Sequence, residues 1–252
     1  MSRIELFKQH LSQKCAVKII SGINNFDIEK AKMVVKAATL AKASAVDVCA
    51  DEEIIKMALE TTNLPVFVSS IDPSELAKAV KLGDVAVEIG NYDALYKLGK
   101  VMDASQILEI TKQTKELIND ENVFMSVTVP GHISVEEQIS LAKELEKLGV
   151  DLIQTEGACV ANVQNDNTRG LIEMATVSIA NTIELSRNIE IPVMTASGLT
   201  CSTVGMAFAS GASAVGVGSC INKLNSLLEM TATATQIVEI AQRNKKEAFQ
   251  TV

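Results

Sequence analysis

The chain has 252 residues and a formal net charge of −8, with 47% apolar and only 3% aromatic residues. The negative charge argues against nucleic acid or an anionic membrane as a partner, because both are bound through clustered Lys and Arg. The five cysteines form no C-x-x-C pair, so we expect reduced thiols in a cytosol-like compartment rather than a disulfide framework. Neither a signal peptide nor an apolar stretch of about 18 residues is predicted, which excludes a membrane span.

Short apolar runs of strand length alternate with helical patterns along the whole chain. A short helix is predicted over residues 3–11, across the bottom of the fold, and longer helices follow most of the strands. The helix after the third strand opens with Asp72-Pro73-Ser74-Glu75, which combines a capping Asp, a Pro in the first turn and a Glu three residues after the cap. The predicted strands cover residues 16–23, 45–50, 64–70, 85–90, 124–129, 151–156, 192–197 and 214–218.

Strands that alternate with helices of about 10 to 15 residues are typical of right-handed βαβ units and a parallel sheet. Eight such units without a linker, in a chain of this length, predict one (β/α)8 barrel, the TIM barrel, as a single domain over residues 1–252. A doubly wound open sheet is the structural alternative.

Two segments near the C-terminus predict a phosphate site. The seventh strand runs into Ser197-Gly198 and the eighth into Gly218-Ser219. A phosphate needs backbone N–H groups that no side chain obstructs, together with the positive end of a helix. Gly198 and Gly218 allow a close backbone approach, and Ser219 adds a hydroxyl donor. The alternative is that these glycines only permit tight turns.

Both segments resemble the phosphate-binding half of the barrel superfamily that includes sugar-phosphate isomerases, synthases and FMN-linked oxidoreductases. Where that superfamily usually shows Gly-Gly-Ile, this chain has Gly198-Leu199-Thr200. The whole chain, including Lys18-Ile19-Ile20-Ser21-Gly22 and Gln154-Thr155-Glu156-Gly157, also resembles the hypothetical chloroplast open reading frame twenty-three family. This resemblance implies a barrel fold and a photosynthetic source, hence the plastid stroma or the cyanobacterial cytoplasm, and it implies no activity.

Polar side chains interrupt strands that are otherwise apolar. Burying a charge is costly unless the charge is paired, so we expect these residues either to be paired or to have a chemical role. For Lys18, an ion pair with Glu88 or Asp47 competes with a role as base or Schiff-base nucleophile. Glu156 ends the sixth strand ahead of a long loop and is our preferred acid/base residue. The polar strand residues are Lys18, Asp47, Glu88, Thr128, Gln154 and Glu156.

Further candidates lie in the loops after the strands. The loop 157–170 is long enough to close over a ligand with Arg169, or it is simply a solvated loop. His132 follows the fifth strand on the same face and is a candidate acid/base residue, whereas His10 is expected at the surface. The cysteines are too scattered to predict a metal site; those near the site face are Cys49, Cys159, Cys201 and Cys220.

Three functions therefore stay open. The first is an enzyme that acts by acid/base isomerase or lyase chemistry on a small phosphorylated metabolite. The second is an oxidoreductase whose FMN phosphate binds at Gly198 and Gly218, and the third is a non-catalytic binding or regulatory barrel. Fold alone does not decide between these functions. Whether the protein assembles into a homo-oligomer is open as well.

Overall fold

In the computed structural model, which describes residues 3–90, 92–96, 99–157 and 168–248, eight parallel strands alternate with helices. The strands are Ala16–Ile20 (β1), Ala45–Cys49 (β2), Val66–Ser70 (β3), Val85–Ile89 (β4), Met125–Val129 (β5), Leu152–Thr155 (β6), Val193–Thr195 (β7) and Ala214–Val217 (β8). The helices are Ile4–Ser12 (α1), Ile28–Leu40 (α2), Glu52–Thr61 (α3), Pro73–Val80 (α4), Asp93–Tyr96 (α5), Ala104–Ile118 (α6), Val135–Lys147 (α7), Thr168–Asn188 (α8), Val204–Ala209 (α9), Ser219–Asn222 (α10) and Leu227–Ala248 (α11).

The sheet closes on itself, because β1 pairs with both β2 and β8. In the closing pair, Ala16 lies opposite Ala214 and Lys18 opposite Gly216. The prediction of a (β/α)8 barrel is therefore confirmed, and the open-sheet alternative is wrong. Every observed strand lies within its predicted range and is shorter than that range. The strands β1, β2, β4 and β8 end earlier than predicted, β3 and β5 begin later, and β6 and β7 do both.

Short polar side chains fix where the helices begin. Asp27, Asp51 and Asp72 each accept hydrogen bonds from backbone N–H groups in the first turn of the helix that follows. Asp103 and Ser134 form complete capping boxes with Gln106 and Glu137 at the starts of α6 and α7. Caps of this kind satisfy N–H groups that the helix leaves without partners, typically at about 1 kcal/mol each.

An aromatic cluster fills the amino-terminal end of the barrel. Phe7 of α1 packs edge-to-face on Phe67 of β3, with ring centroids 5.0 Å apart, and on Phe124 beside β5 at 5.9 Å. All three rings are buried, so α1 closes the bottom of the barrel as predicted. With the bottom filled by side chains, the carboxyl-terminal end is the end of the barrel where a ligand is expected.

On α1, the expectation that His10 lies at the surface is wrong. The ring is half-buried, and its Nδ1 lies 2.8 Å from the hydroxyl of Ser44, because the turn before β2 packs on this helix. Burial, with a smaller contribution from Lys245, lowers the pKa of His10.

In the parts of the chain that the structure describes, no helix is long and apolar enough to cross a membrane.

Candidate functional site

A cavity of about 150 Å³ lies at the carboxyl-terminal end of the barrel, where ligands bind in this fold. Gly216 of β8 creates part of this space. A Cβ atom there would lie 3.0 Å from both Ala196 Cβ and Ile20 Cδ1. The lining residues come from the ends of five strands and from α10: Ile20, Gly22, Ile23, Thr128, Gln154, Thr155, Glu156, Ala196, Ser197, Gly198, Gly216, Gly218, Ser219 and Asn222.

All four residues of the predicted phosphate loops line this cavity: Ser197 and Gly198 after β7, and Gly218 and Ser219 after β8. Ser197 has a φ of +77°, a left-handed conformation that costs energy for any residue with a side chain. Such backbone strain tends to collect at functional sites. The loop after β7 is thus held in an unusual conformation at the edge of the cavity.

The two glycines have different roles in the fold. Gly198 also has a left-handed φ, of +72°, and a Cβ atom there would meet the carbonyl oxygen of Leu171 and lie 2.7 Å from Met174 Cβ on α8. At Gly218 the nearest atom to a Cβ would be the Ile20 carbonyl oxygen, at 3.3 Å. Gly198 is therefore required by the packing of α8, whereas Gly218 is under much weaker steric constraint.

Glu156 directly follows β6, is 2% exposed and is one of the residues that line the cavity. Its Oε2 accepts a hydrogen bond of 2.5 Å from the hydroxyl of Tyr96 on α5. Its backbone carbonyl accepts one of 3.3 Å from Asn181 on α8. Tyr96 thus holds the carboxylate and Asn181 holds the backbone of Glu156 beside the phosphate loops, and an acid/base group has to be positioned in this way.

His132 lies on the same side of the barrel mouth. Its Nδ1 is 3.3 Å from the hydroxyl of Tyr96, and the two rings pack edge-to-face with centroids 5.6 Å apart. Burial lowers the pKa of His132, and Glu137 opposes this shift. Tyr96 therefore links His132 to Glu156, and His132 is not among the described residues that line the cavity.

Lys18 and Glu88 lie inside the barrel, outside the cavity lining. Their Nζ and Oε2 atoms are 2.7 Å apart, both side chains are fully buried, and Nζ also lies 4.8 Å from the Phe67 ring centroid. The other oxygen of Glu88 accepts a 2.9 Å hydrogen bond from Thr128, which in turn accepts one of 2.9 Å from Gln154. Since Thr128 and Gln154 line the cavity, hydrogen bonds connect the cavity to the ion pair.

Asp47 is buried in the same interior region and accepts a short hydrogen bond from Ser69. Burial raises the pKa of Asp47 to about 7, and the nearby charge of Glu88 adds to this effect, while Lys18 and the Ser69 hydroxyl oppose it. The sequence left open whether Lys18 pairs with Glu88 or with Asp47. The structure places the direct ion pair at Glu88.

The remaining candidates lie away from the cavity lining. The side chain of Arg169 is 83% exposed and pairs with Glu173 one turn further along α8, at 2.8 Å. Cys159 and most of the predicted loop 157–170 lie outside the described residues. Within the described ranges, no three His, Cys, Asp or Glu side chains are grouped so that they could hold a metal ion.

Sequence reasoning missed three residues of this region. Tyr96 lies on α5, a four-residue helix too short for a periodic pattern. Gly216 lies within a strand, where a glycine can signal close packing against the sheet. Asn222 donates from Nδ2 to the carbonyls of Ile20 and Ser21, at 2.9 and 3.1 Å, and so ties α10 to the end of β1. Only Gly216 had a signal that could have identified it.

Comparisons with solved structures show the same fold. (S)-3-O-geranylgeranylglyceryl phosphate synthase from Thermoplasma acidophilum in complex with substrate sn-glycerol-1-phosphate matches with a TM-score of 0.62 and 13% identity, over 96% of this chain and 99% of that chain. 3-Hexulose-6-phosphate synthase from Salmonella typhimurium matches with a TM-score of 0.64 and 14% identity, over 91% and 99%. At such identities the likeness concerns the fold alone.

Sequence comparisons show the family. The model of a family described as a protein of unknown function, DUF561, matches residues 2–247. The uncharacterized protein ycf23 of Cyanophora paradoxa is 40% identical over 228 residues, which cover 90% of this chain and 93% of that protein. The uncharacterized protein ycf23 of Pyropia yezoensis is 34% identical over 234 residues, covering 93% and 85%. The chain therefore belongs to the DUF561 family and is related to the ycf23 proteins, which confirms the resemblance found in its sequence.

Proposed function

We propose that the protein is an enzyme that binds a small phosphorylated metabolite and acts on it by acid/base chemistry. The phosphoryl group binds between the loops after β7 and β8, and Glu156 exchanges a proton with the carbon skeleton. The observation that carries this proposal is that Glu156 and all four residues of the predicted phosphate loops line one cavity. An acid/base group and an anion site then face the same ligand.

The chemistry of the cavity also supports a hydroxylated ligand. Among the described residues, Oδ1 of Asn222 is buried and accepts no hydrogen bond. A buried acceptor without a donor costs about 1–3 kcal/mol, and a ligand hydroxyl would remove that cost. The solved structures with this fold include two enzymes whose names contain a phosphate compound, glycerol phosphate in one and hexulose phosphate in the other. Sugar phosphates and similar hydroxylated phosphate esters are therefore the substrate class that we propose.

The cavity volume does not favour FMN. Pockets that enclose drug-sized ligands measure about 300–1,000 Å³, and the cavity formed by the described residues is about 150 Å³. A yellow purified protein with flavin absorbance would contradict the choice of a metabolite over FMN. We further propose that the protein acts in the plastid stroma or in the cyanobacterial cytoplasm.

Binding is tested by titrating isotope-labelled protein with inorganic phosphate and ribose 5-phosphate, with ribose as the uncharged control compound. We expect both anions to shift the amide NMR signals of Gly218 and Ser219. Ser219→Asp places a negative charge in the anion site and should weaken binding at least tenfold. Ser140→Asp, on the exposed face of α7, is the matched control and should leave binding unchanged. If Ser219→Asp binds phosphate like the natural protein, the proposed site is wrong.

Acid/base chemistry is tested by incubating the protein in deuterium oxide with a panel of phosphorylated aldoses and ketoses. A proton abstracted beside the carbonyl exchanges with solvent, so proton NMR should show deuterium entering one C–H position of the true substrate. Glu156→Gln should abolish this exchange and retain phosphate binding. Binding without exchange across the panel would favour the non-catalytic barrel instead.

A further inference from the structure

Tyr96, Glu156 and His132 form a hydrogen-bonded chain at the mouth of the barrel. Tyr96 Oη lies 2.5 Å from Glu156 Oε2 and 3.3 Å from His132 Nδ1. Glu156 is 2% exposed and lines the cavity, whereas His132 is only half-buried. These hydrogen bonds therefore connect a buried carboxylate to an imidazole that reaches solvent. This path does not pass through the cavity itself.

The direction of these hydrogen bonds depends on the proton at Glu156. While the phenol of Tyr96 donates to the ionised carboxylate, its oxygen accepts from His132, whose Nδ1 must then carry the hydrogen. When Oε2 of Glu156 is protonated, it donates to Tyr96, and Tyr96 donates to a bare Nδ1. The hydrogen of the neutral imidazole is then on Nε2. The tautomer of His132 thus follows the protonation state of Glu156.

We propose that Tyr96 and His132 relay protons between Glu156 and solvent, so that Glu156 can regain or release a proton while a ligand fills the cavity. This inference rests on the proposed function. To load Glu156, a hydronium ion or a buffer acid in the solvent protonates His132 at Nε2, and its Nδ1–H bond breaks as a new O–H bond forms on Tyr96. The original phenolic proton moves to Glu156 Oε2. One proton enters, the carboxylate becomes neutral, and both relay residues end uncharged; the reverse sequence returns the proton.

The surroundings of His132 suit this role. Burial lowers the pKa of His132 against the opposing charge of Glu137 on α7, and this favours the neutral ring, which has a defined tautomer. Glu137 and, through Tyr96, Glu156 are the acidic groups that face the ring among the described residues. Tyr92, the other tyrosine of the chain, lies within 3.4 Å of the carbonyl oxygens of Thr128 and Ile89 and takes no part in the relay.

The tautomer is measured by nitrogen-15 NMR of the histidine rings in the full-length protein, at about pH 7.5, above the ordinary histidine pKa. The chain has only two histidines, so His10 is an internal control. We expect the Nδ1–H form for His132 in the natural protein. Tyr96→Phe removes the relay hydroxyl, and Glu156→Met removes its acceptor, so both should convert His132 to the Nε2–H form. Tyr92→Phe is the matched control and should not.

The rate of proton return is a second readout. In the deuterium-exchange assay, Tyr96→Phe should slow exchange at least tenfold and leave the phosphate-induced shifts at Ser219 unchanged. An Nε2–H form in the natural protein, an Nδ1–H form that persists in Tyr96→Phe, or undiminished exchange in that variant would each overturn the relay. Failure of the proposed function looks different. Either inorganic phosphate would leave the Gly218 and Ser219 signals unchanged, or the natural protein itself would show no deuterium exchange, whatever the tautomer of His132.

Discussion

Lys18 Nζ lies 2.7 Å from Glu88 Oε2 in the interior of the barrel, and both side chains are fully buried. Glu88 also accepts a hydrogen bond from Thr128, and the ammonium lies over the ring of Phe67. Thr128 and Phe67 thus stabilise the two charges, whereas the nearby carboxyl group of Asp47 opposes that of Glu88. This geometry is that of a structural ion pair, with Lys18 covered rather than presented to a ligand.

Removing one partner of this pair should destabilise the protein strongly. Lys18→Met leaves Glu88 as a buried charge without its cation, which costs about 3–5 kcal/mol in comparable cases. Urea unfolding followed by circular dichroism measures the loss. The double variant Lys18→Met with Glu88→Met should recover much of it. Lys56→Met, which breaks an exposed pair with Glu52, is the control and should have little effect. A loss below about 1 kcal/mol for Lys18→Met would contradict a structural role.

Asp47 should make the stability depend on pH. Its pKa is raised from 3.8 to about 7 in the folded protein, mainly by burial. Between about pH 4 and pH 7 the unfolded chain releases this proton while the folded protein retains it, so the contribution of Asp47 to stability decreases as the pH rises. The change is about 4 kcal/mol in total, at about 1.4 kcal/mol per pH unit.

Asp47→Asn removes this titration and can still accept the hydrogen bond from Ser69. The free energy of unfolding of this variant, relative to that of the natural protein, should therefore increase from about pH 4 to pH 7 and level off above. Urea titrations of both proteins across this range measure the difference. A constant difference would mean that Asp47 is ionised throughout.

Alanine at the two loop glycines should have different effects. Gly198→Ala forces a Cβ into the backbone of α8 at a left-handed φ, so we expect a loss of at least about 2 kcal/mol in stability. Gly218→Ala has 3.3 Å to the nearest backbone oxygen and should cost less than about 1 kcal/mol. The added methyl group at Gly218 should nevertheless weaken phosphate binding, as measured by titration calorimetry. Equal stability losses in the two variants would show that Gly218 is a packing residue too.

The thiols of Cys49, which is buried, and Cys220, which is partly buried, should react slowly in the folded protein. Burial raises the pKa of Cys49 to about 11 and that of Cys220 to about 12, where the nearby Cys201 adds to the shift. Because the thiolate is the reactive form, iodoacetamide at about pH 8 should alkylate both far more slowly than in urea. Peptide mass spectrometry resolves each site. Rapid alkylation of Cys220 in the folded protein would indicate that the loop after β8 opens in solution.

Part of the site could be predicted from the sequence because strand ends converge in a barrel. Ser197, Gly198, Gly218 and Ser219 were predicted from glycines at the ends of two strands, and they line one cavity. Glu156 was predicted from its position at the end of the sixth strand. Arg169 was predicted to reach a ligand because its loop is long, but in the structure it pairs with Glu173. Position along a strand is encoded locally, whereas the direction of a loop side chain is not.

The sequence by itself determined the (β/α)8 fold. Parallel strands buried on both faces are continuous apolar runs, and side chains such as Asp51 and Asp72 mark helix starts, so both signals are local. Only the tertiary structure decided that Lys18 pairs with Glu88 and that Tyr96 reaches Glu156, 60 residues away. Such contacts depend on the stagger of the strands around the closed barrel, and the stagger is a property of the whole sheet rather than of any segment.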